Sequence, residues 1–499
     1  MLLWPGRAHV APRKGPTIHT NGTSTSSSSH PHAHELVFVL VSFEGPDRYA
    51  QIGGLATRVS GLAEALATLG HETHLVFVGD PSAPGEEHRL EGKLVIHRWC
   101  QWLSRAFPGG VYDGEDYKRA DLTQSAPPYI VEHIARPAIE ADKRLVVISE
   151  EWQTAQAAIE LSDQLHAAGM RDRADLLWNA NHTYGLDRVD WPRLRFTNRI
   201  VTVSRFMRAE LLRLGITAEV LPNGIPRRLL KRLDASEPTR VRSAVQKDLL
   251  FFKMARWAED KGWPESLEAV AQLRAAGYNV GLLARGSGDP AVGAEVIRTA
   301  EGLGLRVKDA PATPQTETAH SGILESARDA DVLFMRSFVD EQFARSLYAA
   351  ADGVLANSNF EPFGLVGLEA MAAGGIAYTG GTGEDYALPG YNAVVLETDD
   401  PREIVEHVER LASEPTKERA LRRAGQRTAA AVTWDLAAER LSRSVRFKGA
   451  PHRVRGARGL TNGHVSADTR GPPIGLEVRV QQPGQALEAV SQPRTWPPE

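Results

Sequence analysis

The 499-residue chain contains one cysteine, Cys100, so no intramolecular disulfide can form, and usage this sparse fits a reducing cytoplasm. Cys100 follows the strand-like run Val95-Ile96-His97-Arg98-Trp99, which marks it as a packed thiol rather than a nucleophile. Neither sign of charge dominates. Against 58 Lys and Arg stand 62 Asp and Glu, a formal net charge of −4, which gives no electrostatic reason to expect nucleic acid or a membrane surface as partner. No run approaches the roughly 18 apolar residues of a transmembrane helix. The opening Met1-Leu2-Leu3-Trp4 is cut off by Pro5 and Gly6, too soon for a signal peptide, so a cytoplasmic location is expected. Signals for metal are equally thin. Asp329-Ala330-Asp331 precedes a strand-like run and reads as a turn, and His30, His32 and His34 lie in a segment without apolar periodicity, so no metal or other cofactor is expected.

What is present is an ordinary soluble balance, 42% hydrophobic and 24% charged, in a length that accommodates about two to three domains. Residues 1–34, with Thr23 to Ser29 all Ser or Thr, lack any apolar pattern and read as a disordered tail; residues 447–499, rich in Gly, Pro, Arg and Gln, read as a second. Between them strands and helices alternate. Apolar runs at Leu36–Val41, Thr73–Val78, Arg144–Ile148, Leu176–Trp178, Ile200–Val203 and Glu219–Leu221 predict one doubly wound parallel sheet over residues 35–228. After an Arg- and Glu-rich linker at 229–246 the alternation restarts. Leu249–Met254, Val280–Leu283, Val332–Met335, Gly353–Ala356, Ile376–Tyr378 and Val394–Leu396 predict a second such sheet over 247–430, followed by a helix at 431–446. The fold class is therefore α/β, two Rossmann-like domains with a cleft at the carboxyl ends of both sheets.

The most informative segment is Glu361-Pro362-Phe363-Gly364-Leu365-Val366-Gly367-Leu368-Glu369, with two carboxylates eight positions apart. Pro362 favours an extended Glu361 and a helix start just after it, and Leu365, Leu368, Met371 and Ala372 recur at helical spacing. Glu361 thus stands at the mouth of a helix and Glu369 about two turns deeper, so the pair can grip a ligand resting on the free amides around Gly364 and Leu365. Arg256 and Lys261, on the loop after a strand, supply two cations within reach of one pyrophosphate. Gly53 and Gly54 open the first helix, where missing side chains let amides approach a phosphate or a sugar oxygen.

The ordered set of these segments resembles the retaining nucleotide-sugar glycosyltransferases of family 4, the group that includes glycogen and starch synthases. Gln51-Ile52-Gly53-Gly54 is similar to the family's opening Gly-Gly loop, although Gln51 stands where the family has a lysine. Glu151-Trp152-Gln153-Thr154 is similar to its Asp-Trp-Gln-Thr segment, with Glu for Asp; Val201-Thr202-Val203-Ser204 and Asn223-Gly224-Ile225 match the punctuation that closes its first domain. Arg256 with Lys261-Gly262, Gly286-Ser287-Gly288-Asp289-Pro290, the Glu-x7-Glu element and Thr379-Gly380-Gly381-Thr382 follow in family order, so that the resemblance spans residues 36 to 445.

That resemblance implies the GT-B fold, whose last helix crosses back to the first domain, and transfer of a sugar from a nucleotide-diphosphate sugar to a hydroxyl acceptor such as a glucan or other glycan, with retention of configuration. It implies that Glu361 holds the donor sugar and steadies charge at its anomeric carbon, that Glu369 binds the ribose, and that Gly380, Gly381 and Thr382 offer amides to sugar and phosphates. The histidine that the family places near the donor sugar maps to His182, with Asn181 next in register. Two readings stand beside it: a sugar phosphorylase or nucleotide-sugar epimerase on the same fold, and a non-catalytic sugar-nucleotide-binding protein. The joint presence of Arg256, Lys261, Glu361 and Glu369 disfavours the last.

Overall fold

A computed structural model of the chain describes residues 35–310, 317–336 and 339–448. Both tails expected from the sequence, apart from residues 447 and 448, lie outside the described residues. The first sheet contains β1 (Leu36–Val41), β2 (Glu72–Val78), β3 (Glu86–Arg89), β4 (Leu94–Trp99), β5 (Arg144–Glu150), β6 (Ala174–Ala180), β7 (Arg199–Thr202) and β8 (Glu219–Val220), in the order β3-β4-β2-β1-β5-β6-β7-β8. β1 is the apolar run Leu-Val-Phe-Val-Leu-Val, buried at every position because helices cover both faces of the sheet. It pairs in parallel with β2 on one side and β5 on the other. Strand order reverses between β1 and β5, and that switch point opens a crevice at their carboxyl ends.

The expected wholly parallel sheet needs one correction. β3 runs antiparallel to β4 at the sheet edge. Its residues, Glu86-Glu87-His88-Arg89, carry no apolar alternation because neither face is fully buried, so period-two patterning could not disclose it.

The second sheet comprises β9 (Leu249–Trp257), β10 (Val280–Gly288), β11 (Val307–Ala310), β12 (Val332–Met335), β13 (Gly353–Ala356), β14 (Ala377–Thr379) and β15 (Val394–Val395), ordered β11-β12-β10-β9-β13-β14-β15. Every described pairing in it is parallel. Its switch point lies between β9 and β13. The stretch 229–246, read from sequence as a linker, holds a helix at Ser236–Val245, and Val241 and Val245 of that helix join the second domain's core. Its Arg and Glu residues occupy the solvent side of an amphipathic helix rather than an extended connector.

The last helix, Trp434–Lys448, carries Trp434, Ala437, Ala438, Leu441 and Val445 at helical spacing, and these pack into the core of the first sheet, against the helix Gly54–Thr68. Close approach there requires two glycines. A Cβ on Gly61 would lie 2.3 Å from the Trp434 ring nitrogen, and one on Gly224 would lie 2.4 Å from the Thr433 carbonyl carbon.

Candidate active site

One cavity of about 730 Å³ lies between the carboxyl ends of the two sheets. It gathers Gly53, Gly54, His182, Arg256, Lys261, Glu361, Gly364 and Leu365, eight of the residues singled out in the sequence, from positions as far apart as 53 and 365. Gly380, Gly381 and Thr382 line an adjoining cavity of about 350 Å³, and Ser358 borders both. Glu369 borders neither. Its carboxylate accepts a hydrogen bond from the Tyr348 hydroxyl at 3.2 Å, and burial pushes its pKa up to about 7.

On the second domain, β9 delivers the cations. Arg256 is exposed on the cleft side near its end, and among the described residues its guanidinium has no ion-pair partner. Lys261 ends the 3-10 turn Glu259–Lys261; its Nζ lies 2.9 Å from Asp260 Oδ2, 3.3 Å from Glu361 Oε2 and 3.4 Å from the Phe360 carbonyl oxygen. Lys253, which sequence reasoning missed, is fully buried on the same strand. It donates to Asn357 Oδ1 at 2.6 Å and to the Leu355 carbonyl at 3.3 Å, and burial pulls its pKa down to about 7. The signal for it was present: a lysine inside the run Leu249 to Met254, where a central strand demands apolar residues.

Glu361 is held by two interlocked loops. Its backbone N–H donates to Thr382 Oγ1 at 3.0 Å, and the left-handed Gly383 (φ 73°) packs so closely that an added Cβ would sit 1.6 Å from the Glu361 carbonyl oxygen. Beside it lies a second carboxyl group, Glu384, buried with neither oxygen hydrogen-bonded. Burial, reinforced by the neighbouring Glu361 charge, raises its pKa well above the usual carboxylate range. Glu384 thus holds its proton more firmly than an exposed carboxyl, while Glu361 is the acid whose oxygen lies 3.3 Å from Lys261 Nζ.

The first domain contributes differently. The Gly53 N–H, expected to be free for a ligand, donates to Glu44 Oε2 at 3.0 Å, and the Ala56 N–H donates to the same oxygen at 3.1 Å. The other Glu44 oxygen accepts from the Tyr112 hydroxyl at 2.6 Å. His182, just beyond β6, accepts at Nδ1 from the Tyr184 N–H at 3.1 Å, which leaves the proton of a neutral ring on Nε2. Nε2 faces Glu151 Oε2 at 3.4 Å. Glu151 is 1% exposed, its backbone is held at φ 69°, and its Oε1 accepts from the Asn181 N–H at 2.5 Å. Burial raises its pKa to about 8 and lowers that of His182. Of the two residues that resemblance left in register, His182 and Asn181 both border the cavity, while Asn181 also ties back through Nδ2 to Glu150 at 3.0 Å.

Asp331 of the Asp-x-Asp pair is occupied by Arg306 at 2.6 Å and Arg274 at 3.3 Å. No cluster of three His, Cys, Asp or Glu able to hold a metal occurs among the described residues, and no helix among them is long and apolar enough to cross a membrane. Cys100 is buried, with its thiol donating to the Lys118 carbonyl at 3.4 Å.

Comparison with known proteins meets this geometry. Residues 52–228 match the sequence pattern of Glycosyltransferase Family 4, and residues 236–428 match that of Glycosyl transferases group 1. A GDP-mannose-dependent alpha-(1-6)-phosphatidylinositol dimannoside mannosyltransferase of Mycobacterium tuberculosis is 24% identical over 410 residues, covering 81% of this chain and 93% of that protein. Among solved structures, sucrose-phosphate synthase from Thermosynechococcus elongatus superposes with a TM-score of 0.58 at 18% identity, over 83% of this chain and 99% of the other. Anabaena HepE in complex with UDP and glucose superposes at 0.54 and 14% identity, over 83% and 99%. With the two domain patterns in order along the chain and their marked residues facing one cleft, the protein belongs to glycosyltransferase family 4, as a hexosyltransferase of GT-B fold that draws on a nucleotide-sugar donor.

Proposed function

We propose that the protein transfers a hexosyl unit from a nucleotide-diphosphate sugar to a hydroxyl of a carbohydrate acceptor with retention of anomeric configuration. The observation that carries this reading is the convergence of Arg256, Lys261, Glu361 and His182, from two separate sheets, on one cavity. Arg256 and Lys261 take the diphosphate and stabilise the charge that grows on it as the glycosidic bond breaks. Glu361, paired with Lys261 and fixed by the Thr382 loop, holds the sugar and opposes positive charge at its anomeric carbon. Gly364 and Leu365 present the start of the helix Leu365–Ala373 to the phosphates, and Gly380, Gly381 and Thr382 extend the donor site into the adjoining cavity. Glu369 serves the ribose, and Gly53 and Gly54 keep the first-domain wall low enough for the donor to approach.

In the reaction the acceptor oxygen bonds to the anomeric carbon on the face that the diphosphate leaves. The C–O bond to phosphate breaks with its electron pair, and the hydroxyl proton passes to the departing phosphate oxygen. His182, neutral and with Nδ1 held by the Tyr184 N–H, offers its Nε2 proton to the sugar from the opposite domain.

The test is a panel of nucleotide sugars screened by thermal shift, followed by transfer with anomer-resolved NMR of the product. One donor should raise the melting temperature and yield a product of unchanged configuration. An inverted product, or no binding by any nucleotide sugar, overturns the reading.

A further inference from the structure

The first-domain wall of the cleft has a distinct chemistry. Its polar lining side chains include Glu44, Tyr112, Glu115, Gln153, His182 and Tyr184, and among the described residues that line the cavity from this domain there is no lysine or arginine. The basic groups behind the wall are engaged elsewhere. Arg119 and Arg188 lie over the Trp152 ring at 5.7 and 4.0 Å and share Asp116 at 3.2 and 2.9 Å, while Arg58, wholly buried, grips Glu150 at 2.9 Å.

The anion site at the start of the first helix on this wall is filled from within. At the start of the helix Gly54–Thr68 the amide donors of Gly53 and Ala56 point to Glu44, itself 5% exposed and locked by Tyr112. A phosphate group arriving there meets a carboxylate instead of free N–H groups.

Gln153 points to what this wall does accept. It is 3% exposed and borders the cavity. Its Nε2 donates to Glu115 Oε1 at 2.9 Å, which fixes which end of the amide is which, and its Oε1 is a buried acceptor with no partner. Such an oxygen calls for a donor from outside the protein. Tyr184, 68% exposed at the rim and edge-on to His182 with 6.1 Å between ring centroids, offers the apolar face against which a pyranose ring lies.

We propose that this wall is the acceptor subsite and that it selects an uncharged, hydroxyl-rich sugar, which donates to Gln153 Oε1 and Glu115 and stacks on Tyr184, while it rejects phosphorylated acceptors. The inference rests on the glycosyltransferase reading above and adds the charge class of its acceptor. Selection comes from repulsion as much as attraction, since Glu44 and Glu115 oppose a phosphate that no cation on this wall would neutralise.

The experiment uses the full chain, the nucleotide sugar that gives the largest thermal shift, and acceptors in pairs that differ by one phosphate: glucose and glucose 6-phosphate, mannose and mannose 6-phosphate, inositol and inositol 1-phosphate. The uncharged member of the working pair should have a kcat/KM about tenfold or more above its phosphate. Tyr184→Ala and Glu115→Gln should each raise the acceptor KM about tenfold with the donor Kd unchanged, a split that a merely structural defect would not produce. Glu115→Lys should narrow the preference against phosphate. A phosphorylated acceptor used better than its uncharged partner overturns the inference, as does donor binding with hydrolysis but no transfer to any uncharged member. Failure of every nucleotide sugar to bind falls instead on the proposed function.

Discussion

The two walls of the cleft are built on the same kind of sheet yet carry opposite chemistry. At the β9 end the second domain presents Arg256, Lys261 and Lys253, with Glu361 as counter-charge; at the β1, β5 and β6 ends the first domain presents Glu44, Gln153 and His182. The fold explains why both walls meet a ligand, since each lies at a switch point where adjacent crossovers diverge. It does not explain the charge. A diphosphate leaving group demands cations wherever it sits, so the donor wall has little freedom, whereas an acceptor is bound by whatever complements its hydroxyls.

The sharpest way to break the comparison is to remove a donor-wall cation. Arg256→Ala or Lys261→Ala should lower turnover by about two orders of magnitude or more and weaken nucleotide binding, because each deletes a charge-assisted contact to the leaving group. Lys261→Ala should cost more in donor positioning, since its loss also frees Glu361, now 3.3 Å away. Steady-state kinetics with donor titration measures both, and wild-type turnover in either variant would remove that residue from the site.

A smaller effect separates the two glutamates of the Glu-x7-Glu element. Glu361→Gln keeps shape but loses the charge that opposes an oxocarbenium-like transition state, so kcat should fall by at least about tenfold with little change in donor KM. Glu369, half-buried and held by the Tyr348 hydroxyl, is proposed to contact the ribose equally in ground and transition states, so Glu369→Ala should chiefly raise donor KM, severalfold, and reduce discrimination against a 2′-deoxy nucleotide. Swapped signatures would show that the roles implied by resemblance do not hold here.

The contrast between the walls also accounts for what the sequence disclosed. Donor-wall residues sit in short contiguous motifs after apolar strands, so Arg256, Lys261, Glu361 and the Thr379 to Thr382 loop were legible one by one. The acceptor wall is assembled from separate places: Glu44 after β1, Tyr112 and Glu115 from the segment between Trp99 and Pro128, Gln153 after β5 and Tyr184 after β6. No spacing links them. The segment from Trp99 to Pro128 carries no clear apolar periodicity because its helix Glu115–Tyr129 is mostly polar, with Pro127 and Pro128 inside its last turn, and only Lys118, Leu122, Ala126 and Pro127 buried. Glu151 and Gln153 lay in a quoted motif, but as a charge and an amide in a buried position they declared their importance only through burial.

Glu151 supplies the mildest and most diagnostic test of the acceptor side. Its carboxyl is held up to about 8 by burial, against 4.5 for an unperturbed glutamate. Between those values the folded state binds a proton that the unfolded state has released, so the contribution of this group is full below about pH 4.5 and is lost progressively as pH rises to about 8. Glu151→Gln cannot ionise, and it keeps an oxygen to accept from the Asn181 N–H. Melting temperature should therefore fall less steeply across that interval in Glu151→Gln than in the parent, with the two proteins closest at the acid end. Transfer activity reads the second half of the argument. Because Glu151 faces His182 Nε2 at 3.4 Å and gains its charge only as pH rises toward about 8, an amide there removes that titration beside the ring, and the activity of the variant should depend less on pH on the approach to about 8. Parallel melting curves across the interval would mean that Glu151 ionises as readily in the fold as in water, and the first-domain wall would then carry a full negative charge beside His182 rather than a proton.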